Sequence, residues 1–163
     1  MEMTKERPIE KGEREVLTTP QRIGEGVTIV VLLLMAGFFR LHQSMDTGFF
    51  TADFGPTAML CLYGPIAVAL IPPAIRALGG RRNPARLFEA AANLSLALGS
   101  LWLLRVFPFD FTHLADVFPA PMRFGLAWMT NDIGRYFMIF QVTVMFIAAI
   151  ANTVRFFFNA SKG

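Results

Sequence analysis

Four apolar stretches, each about twenty residues long, dominate the sequence. They cover residues 23–41, 57–78, 87–107 and 133–157. A helix rises about 1.5 Å per residue, so roughly twenty apolar residues cross the hydrocarbon core of a bilayer. Hydrophobic residues make up 54% of the 163 residues and charged residues only 17%, a balance unsuited to a small soluble domain. We therefore predict an all-α integral membrane protein whose transmembrane domain, 22–158, is an antiparallel up-down bundle of four helices.

The basic residues predict the orientation of these helices. Eleven of the fifteen Lys and Arg precede the first stretch, lie at the end of the second stretch or between the second and third, or lie at or beyond the end of the fourth. Cytoplasmic loops carry such an excess, so both termini are predicted to be cytoplasmic. The segment 1–21 is too charged for a secretory signal and is predicted to be a flexible cytoplasmic segment. The net charge of +3 is explained in this way, and no nucleic-acid partner is expected.

The connection between the third and fourth stretches, 108–132, is long and rich in aromatic residues interleaved with charge. Loops of that length without any secondary structure are uncommon. Thr112 and Pro121 are residue types that begin helical turns. Aromatic side chains favour the headgroup region of a bilayer. The sequence therefore predicts short interfacial helices that form a lid over the extracytoplasmic end of the bundle.

Polar residues follow one face of the third and fourth stretches at helical spacing. They are Glu89 and Asn93 on the third and Gln141 and Asn152 on the fourth, and Glu25 is expected at a similar depth on the first. Ionisable groups inside a membrane are costly, so this seam is a candidate site for a proton, an ion or a polar headgroup. The alternative is that its charged members extend to the cytoplasmic interface and hydrogen-bond to neighbouring helices.

Small residues and prolines predict how the helices pack. Spacing by four residues puts small side chains on one face of the third stretch, where a neighbouring helix can approach closely. Prolines inside the second stretch predict a bend, since proline cannot donate a backbone hydrogen bond. The small residues are Ala91, Ser95 and Gly99, and the prolines are Pro65, Pro72 and Pro73.

Two pairs of possible metal ligands fall on the predicted extracytoplasmic side. His42 and Asp46 are four residues apart, and His113 and Asp116 are three apart. If each pair is helical, two imidazoles and two carboxylates could complete a shell for zinc, and similar ligands suit copper or iron. The alternative is ordinary loop chemistry, in which the Asp side chains cap turns or pair with arginines.

Three functional hypotheses are compatible with these features. The common catalytic motifs are absent, and the single cysteine, Cys61, excludes an intrachain disulfide. The first hypothesis is therefore a non-enzymatic accessory or assembly subunit that contacts other membrane chains or copies of itself within the lipid bilayer. The alternatives are a small oligomeric channel or transporter with a polar path on helices three and four, and a metal- or redox-binding membrane protein.

Overall fold

The computed structural model describes residues 17–79 and 85–160, and for residues 85, 86 and 156–160 the backbone alone. Most of the predicted N-terminal segment and much of the arginine-rich turn, 80–84, therefore lie outside the described residues. The described chain is helical and contains no strand. The five α-helices are α1 (Thr19–Met45), α2 (Pro56–Ala69), α3 (Ile71–Gly79), α4 (Ala85–Val106) and α5 (Asn131–Ala160).

Four helical segments in the described chain are long and apolar enough to cross a membrane. They are Thr19–Met45, Pro56–Gly79, Leu87–Val106 and Asn131–Arg155. The prediction of an all-helical chain with four such segments is confirmed, and the structure is compatible with a multi-pass membrane protein.

The second of these segments is interrupted at Leu70, between α2 and α3. Pro72 and Pro73 lie in the first turn of α3 and have no N–H to donate to the preceding turn. The helix resumes when Ala74 N–H donates to the Leu70 carbonyl oxygen at 3.2 Å. Pro65 lies inside α2 without ending it, so the proline pair and not Pro65 breaks the segment.

Helix α4 is the centre of the packing, because it contacts α2, α3 and α5. Helix α1 packs mainly on α3 and only slightly on α2. Within the described residues α1 does not pack on α5. This leaves a gap between the first and last helices of the chain.

The two ends of the molecule differ in chemistry. At the end that we call the loop end, the connections 46–55 and 107–130 join each other: Asp110 N–H donates to the Phe49 carbonyl oxygen at 2.7 Å, and Thr51 N–H donates to that of Pro108 at 3.1 Å. The buried core cluster of Phe49, Ala58, Leu103, Phe109 and Met138 lies here. The opposite end, which we call the charged end, contains Arg76 and Arg155.

The long connection, 107–130 in the structure, contains two short 3₁₀ helices, Phe111–His113 and Ala120–Gly125. The first is capped by Asp110, whose carboxylate accepts hydrogen bonds from the Thr112 amide at 3.1 Å and from the Thr112 hydroxyl at 2.6 Å. Thr112, expected to begin a turn over the residues that follow it, instead lies inside this 3₁₀ helix. Asp110 precedes the turn, and an N-cap must accept from an amide further along the chain.

Candidate functional site

Arg76 on α3 connects two carboxylates at the charged end. Its Nη2 donates to Glu25 Oε2 on α1 at 2.9 Å, and its Nε lies 2.8 Å from Glu25 Oε1. Its Nη1 donates to Glu89 Oε1 on α4. The three side chains are only 17%, 18% and 29% exposed for Arg76, Glu25 and Glu89 respectively. One guanidinium therefore joins three helices, and we call this group the Arg76 cluster.

A second arginine strengthens the same contact between α1 and α3. Arg22 donates from Nε and Nη2 to the carbonyl oxygen of Ala77, at 2.9 and 2.7 Å. That carbonyl lies in the last turn of α3, where helix carbonyls lack intrahelical partners and cations are favoured. The charged end of α1 is thus held on α3 by two arginines.

An open polar pocket of about 460 Å³ adjoins the Arg76 cluster. Arg155 of α5 lines it together with Glu25, Arg76 and Glu89. Counting formal charges, two arginines and two glutamates balance there. The arrangement satisfies the predicted buried carboxylates mainly by pairing them with an arginine, as expected for charges held in an apolar environment.

The structure brings together only part of the predicted polar seam. Glu25 and Glu89 meet through Arg76. Gln141 lies nearer the loop end of α5, where its Nε2 donates to Ser100 Oγ of α4 at 3.0 Å. Asn93 and Asn152 are partly buried. Within the described part of the chain, no side-chain hydrogen bond links either asparagine or the Gln141–Ser100 pair to the Arg76 cluster.

A cavity of about 220 Å³ lies between the helices near the loop end. All four membrane-length segments and both connections contribute to its walls, and those walls are almost entirely apolar. The polar side chains among the lining residues are Ser100 and Gln141. The aromatic residues that line the cavity are Phe38, Phe39, Phe49, Phe109, Phe111 and Phe137.

The cavity opens sideways through the gap between α1 and α5. Met35 and Phe38 of α1 form one wall, and Phe137 and Gln141 of α5 form another. Because Phe137 and Gln141 line the cavity and are also exposed, the opening lies at the surface of α5. A molecule that enters the cavity here would approach from the side of the helices and not from their ends.

The predicted metal ligands do not form a shell. Among the described residues there is no group of three or more His, Cys, Asp or Glu side chains placed to hold a metal ion. His113 Nδ1 lies 2.8 Å from Asp116 Oδ2, and Arg123 Nη1 lies 3.1 Å from Asp116 Oδ1. Asp116 thus acts as an ion-pair partner. The zinc, copper or iron site stays a prediction that the side-chain geometry does not support.

His42 and Asp46 are separated by the end of α1. His42 is 1% exposed, and its Nδ1 lies 2.5 Å from Thr47 Oγ1. Asp46 is the exposed C-cap residue in the left-handed conformation, with φ of 47°. The expected helical pairing of these residues therefore does not occur, because the helix ends between them. The His42 ring packs instead against Phe38 and Phe49.

Asn131 joins the start of α5 to the long connection. Its Oδ1 accepts from the Phe111 amide at 2.7 Å, and its Nδ2 donates to Asp110 Oδ1 at 3.3 Å. The Thr112 hydroxyl lowers the pKa of Asp110 most strongly, and the Thr112 amide and the Asn131 side chain add to the effect. These bonds fix the connection against the start of α5, where Phe109 and Phe111 line the cavity.

Sequence reasoning missed the role of Arg76 and the cavity. Arg76 lies inside the predicted second stretch, 57–78, but it enters the prediction only as a basic residue that indicates a cytoplasmic end, and its pairing with Glu25 and Glu89 is not predicted. Ser100 follows the same helix face as Glu89 and Asn93, which is the signal that could have paired it with Gln141. The cavity is formed in part by the two connections 46–55 and 107–130, which are far apart in the sequence. No local sequence pattern indicates that they pair.

Comparison with known proteins gives no relative. No protein-family model, no curated protein and no solved structure matches the chain. Function is therefore inferred from the chemistry and packing of the chain itself.

Proposed function

We propose that the chain is a non-enzymatic multi-pass membrane protein that acts as an accessory or assembly subunit, through helix–helix contacts in a larger or oligomeric complex. The observation that carries this proposal is the exposed apolar face of α1. This helix is attached to α3 at one end and contacts the connections at the other. Much of its length is left available to another chain.

The exposed face of α1 has the spacing of a helix-packing surface. Its apolar residues recur at steps of four and three, and each named large side chain is more than half exposed. Gly37 continues the same face and has open space above it, which permits close approach by another helix. We call this face the α1 stripe: Ile23, Val27, Val30, Leu34, Gly37 and Leu41.

Site-specific photocrosslinking tests the proposal in native membranes. A benzoylphenylalanine placed at Leu34 should give a discrete protein adduct, either with a second copy of the chain or with a different membrane protein. The matched control is Ile147 on α5, which is 62% exposed and outside the stripe. Protein adducts at Leu34 and lipid adducts at Ile147 would support the proposal. Lipid adducts alone at both positions would overturn it.

We also infer that the helices form an antiparallel up-down bundle with both termini in the cytoplasm. Two contacts of α4 with α5 support the bundle. Ser100 pairs with Gln141 beside the cavity, whereas Glu89 and Arg155 share the pocket at the charged end, as expected for helices of opposite direction. The arginines near the charged end support a cytoplasmic location for that end.

The aromatic connection, 108–132, is then an extracytoplasmic lid at headgroup depth. Single cysteines in a Cys61→Ser background test this orientation. An impermeant maleimide added to intact cells or right-side-out vesicles should label a cysteine at Ala120 and leave one at Thr4 unlabelled until the membrane is opened. The reverse pattern would refute the assigned orientation.

A further inference from the structure

We propose that the cavity near the loop end binds a lipid-soluble molecule with a flat ring and a ring carbonyl or hydroxyl oxygen, of the isoprenoid-quinone class. At about 220 Å³ the cavity is larger than the roughly 150 Å³ apolar cavity that accommodates benzene in a soluble protein. A single substituted ring fits such a space. A long tail would leave through the opening between α1 and α5.

Ser100 and Gln141 provide the polar anchor. Ser100 is only 8% exposed and accepts a hydrogen bond from Gln141 Nε2 at 3.0 Å. Its hydroxyl can also donate, and the amide of Gln141 keeps one further N–H and its oxygen. The bond to Gln141 occupies one site of the Ser100 hydroxyl and leaves another free to bond to a ligand. A buried polar group gains by finding a partner, and a ring oxygen in the cavity would supply one.

The aromatic walls favour a ring over an acyl chain. Phe38, Phe39, Phe109 and Phe111 line the same space as the polar pair, and aromatic faces and edges pack well against flat rings. Met35 and Met138 add flexible, polarisable side chains that adapt to irregular shapes. An acyl chain presents no oxygen at hydrocarbon depth. It would offer the Ser100 hydroxyl and the Gln141 amide no bond beyond the one that they make with each other.

Binding can be measured with the full chain in detergent. The probe is a decyl-tailed benzoquinone, and the readout is quenching of tryptophan fluorescence, since Trp102 packs against the core cluster beside the cavity. We expect saturable quenching in the parent chain. Ser100→Ala and Gln141→Leu should each weaken the apparent affinity about tenfold, as the loss of one hydrogen bond implies.

Two controls make the outcome decisive. Thr143→Ala removes an exposed α5 hydroxyl that bonds to the Ile139 carbonyl, and it should leave the affinity unchanged. Decane at the same concentration should compete poorly, because it has no oxygen. Quenching that never saturates, or the same affinity in parent, Ser100→Ala and Gln141→Leu chains of equal thermal stability, would overturn the proposal. Equal competition by decane would show that the cavity takes plain hydrocarbon instead.

Discussion

Gly99 of α4 lies directly against the backbone carbonyl of Cys61 on α2. A Cβ at residue 99 would sit 2.6 Å from the Cys61 oxygen and 2.8 Å from Pro65 Cγ. The first is a backbone atom and the second belongs to a rigid ring, so neither can move aside cheaply. Hydrogen as a side chain is what allows these two helices to approach so closely.

The first prediction is that Gly99→Ala destabilises the protein by about 1–3 kcal/mol, the usual effect of overpacking. Thermal unfolding in detergent should show a lower Tm. The control is Gly37→Ala on α1, where nothing lies within 4 Å of the added Cβ. If both variants melt alike, the close approach of α4 to α2 is not limiting.

A second prediction concerns the Arg76 cluster. Arg76→Gln leaves Glu25 and Glu89 without their cation, and removing one partner of a buried ion pair is strongly destabilising. Because these side chains are partly exposed, we expect the free energy of unfolding to fall by only about 2 kcal/mol. Chemical or thermal unfolding can measure this loss. Adding Glu25→Gln and Glu89→Gln should restore part of the loss.

Arg40→Gln is the matched control for Arg76→Gln, since Arg40 is an exposed arginine near the other end of α1. It should change stability by less than about 0.5 kcal/mol, as for ordinary surface positions. An Arg76→Gln chain as stable as Arg40→Gln would contradict a role for the cluster in holding three helices together.

The third prediction is a pH dependence from Asp110. Its lowered pKa means that the folded state favours the carboxylate more than the unfolded state does. The resulting stability is fully present above the ordinary pKa of 3.8 and is lost as the pH falls through the lower, folded-state pKa. Thr112→Val removes the hydroxyl donor and should shift the loss towards higher pH in acid titrations of Tm.

The matched control for Thr112→Val is Ser44→Ala, which removes an exposed hydroxyl that bonds to the Leu41 carbonyl and not to a carboxylate. Its acid titration should overlay that of the parent chain. An unchanged titration for Thr112→Val would show that the hydroxyl does not determine the protonation of Asp110.

A fourth prediction tests how the long connection docks on α5. A Cβ at Gly134 would overlap the Phe111 ring, so Gly134→Ala should displace Phe111. We expect faster hydrogen exchange at the Phe111 amide, which donates a hydrogen bond to Asn131. The free energy of unfolding should fall by about 1–3 kcal/mol. Gly125→Ala, with nothing within 4 Å of its Cβ, should alter neither. Unchanged exchange in Gly134→Ala would refute the contact.

The four membrane-length helices could be predicted because their signal is local. A stretch of about twenty apolar residues specifies a membrane-length helix through its length and transfer free energy alone. The break in the second helix was also predictable, since Pro72 and Pro73 cannot complete the preceding turn. The close approach at Gly99 followed from the spacing of small residues.

The side-chain pairing of the candidate sites could not be predicted in the same way. The sequence places Glu25 and Glu89 at one depth, but no local pattern indicates that Arg76, near the end of the second stretch, pairs with both. His42 and Asp46 have the spacing of a helical pair. In the structure α1 ends at Met45, and Asp46 is its left-handed C-cap residue, so the two side chains do not share a helix face. Helix boundaries decide such pairs, and they are the least certain part of a sequence-based assignment.

The pairing of Phe50 with Phe109 bears on the order in which the chain can be assembled. These residues are separated in the sequence by all of α2, α3 and α4, and the adjoining turn is fixed by Asn131 at the start of α5. During synthesis the first three membrane-length segments therefore emerge before their loop end can be completed. That end closes only when the start of α5 has emerged, which makes closure of the aromatic core a late step in maturation.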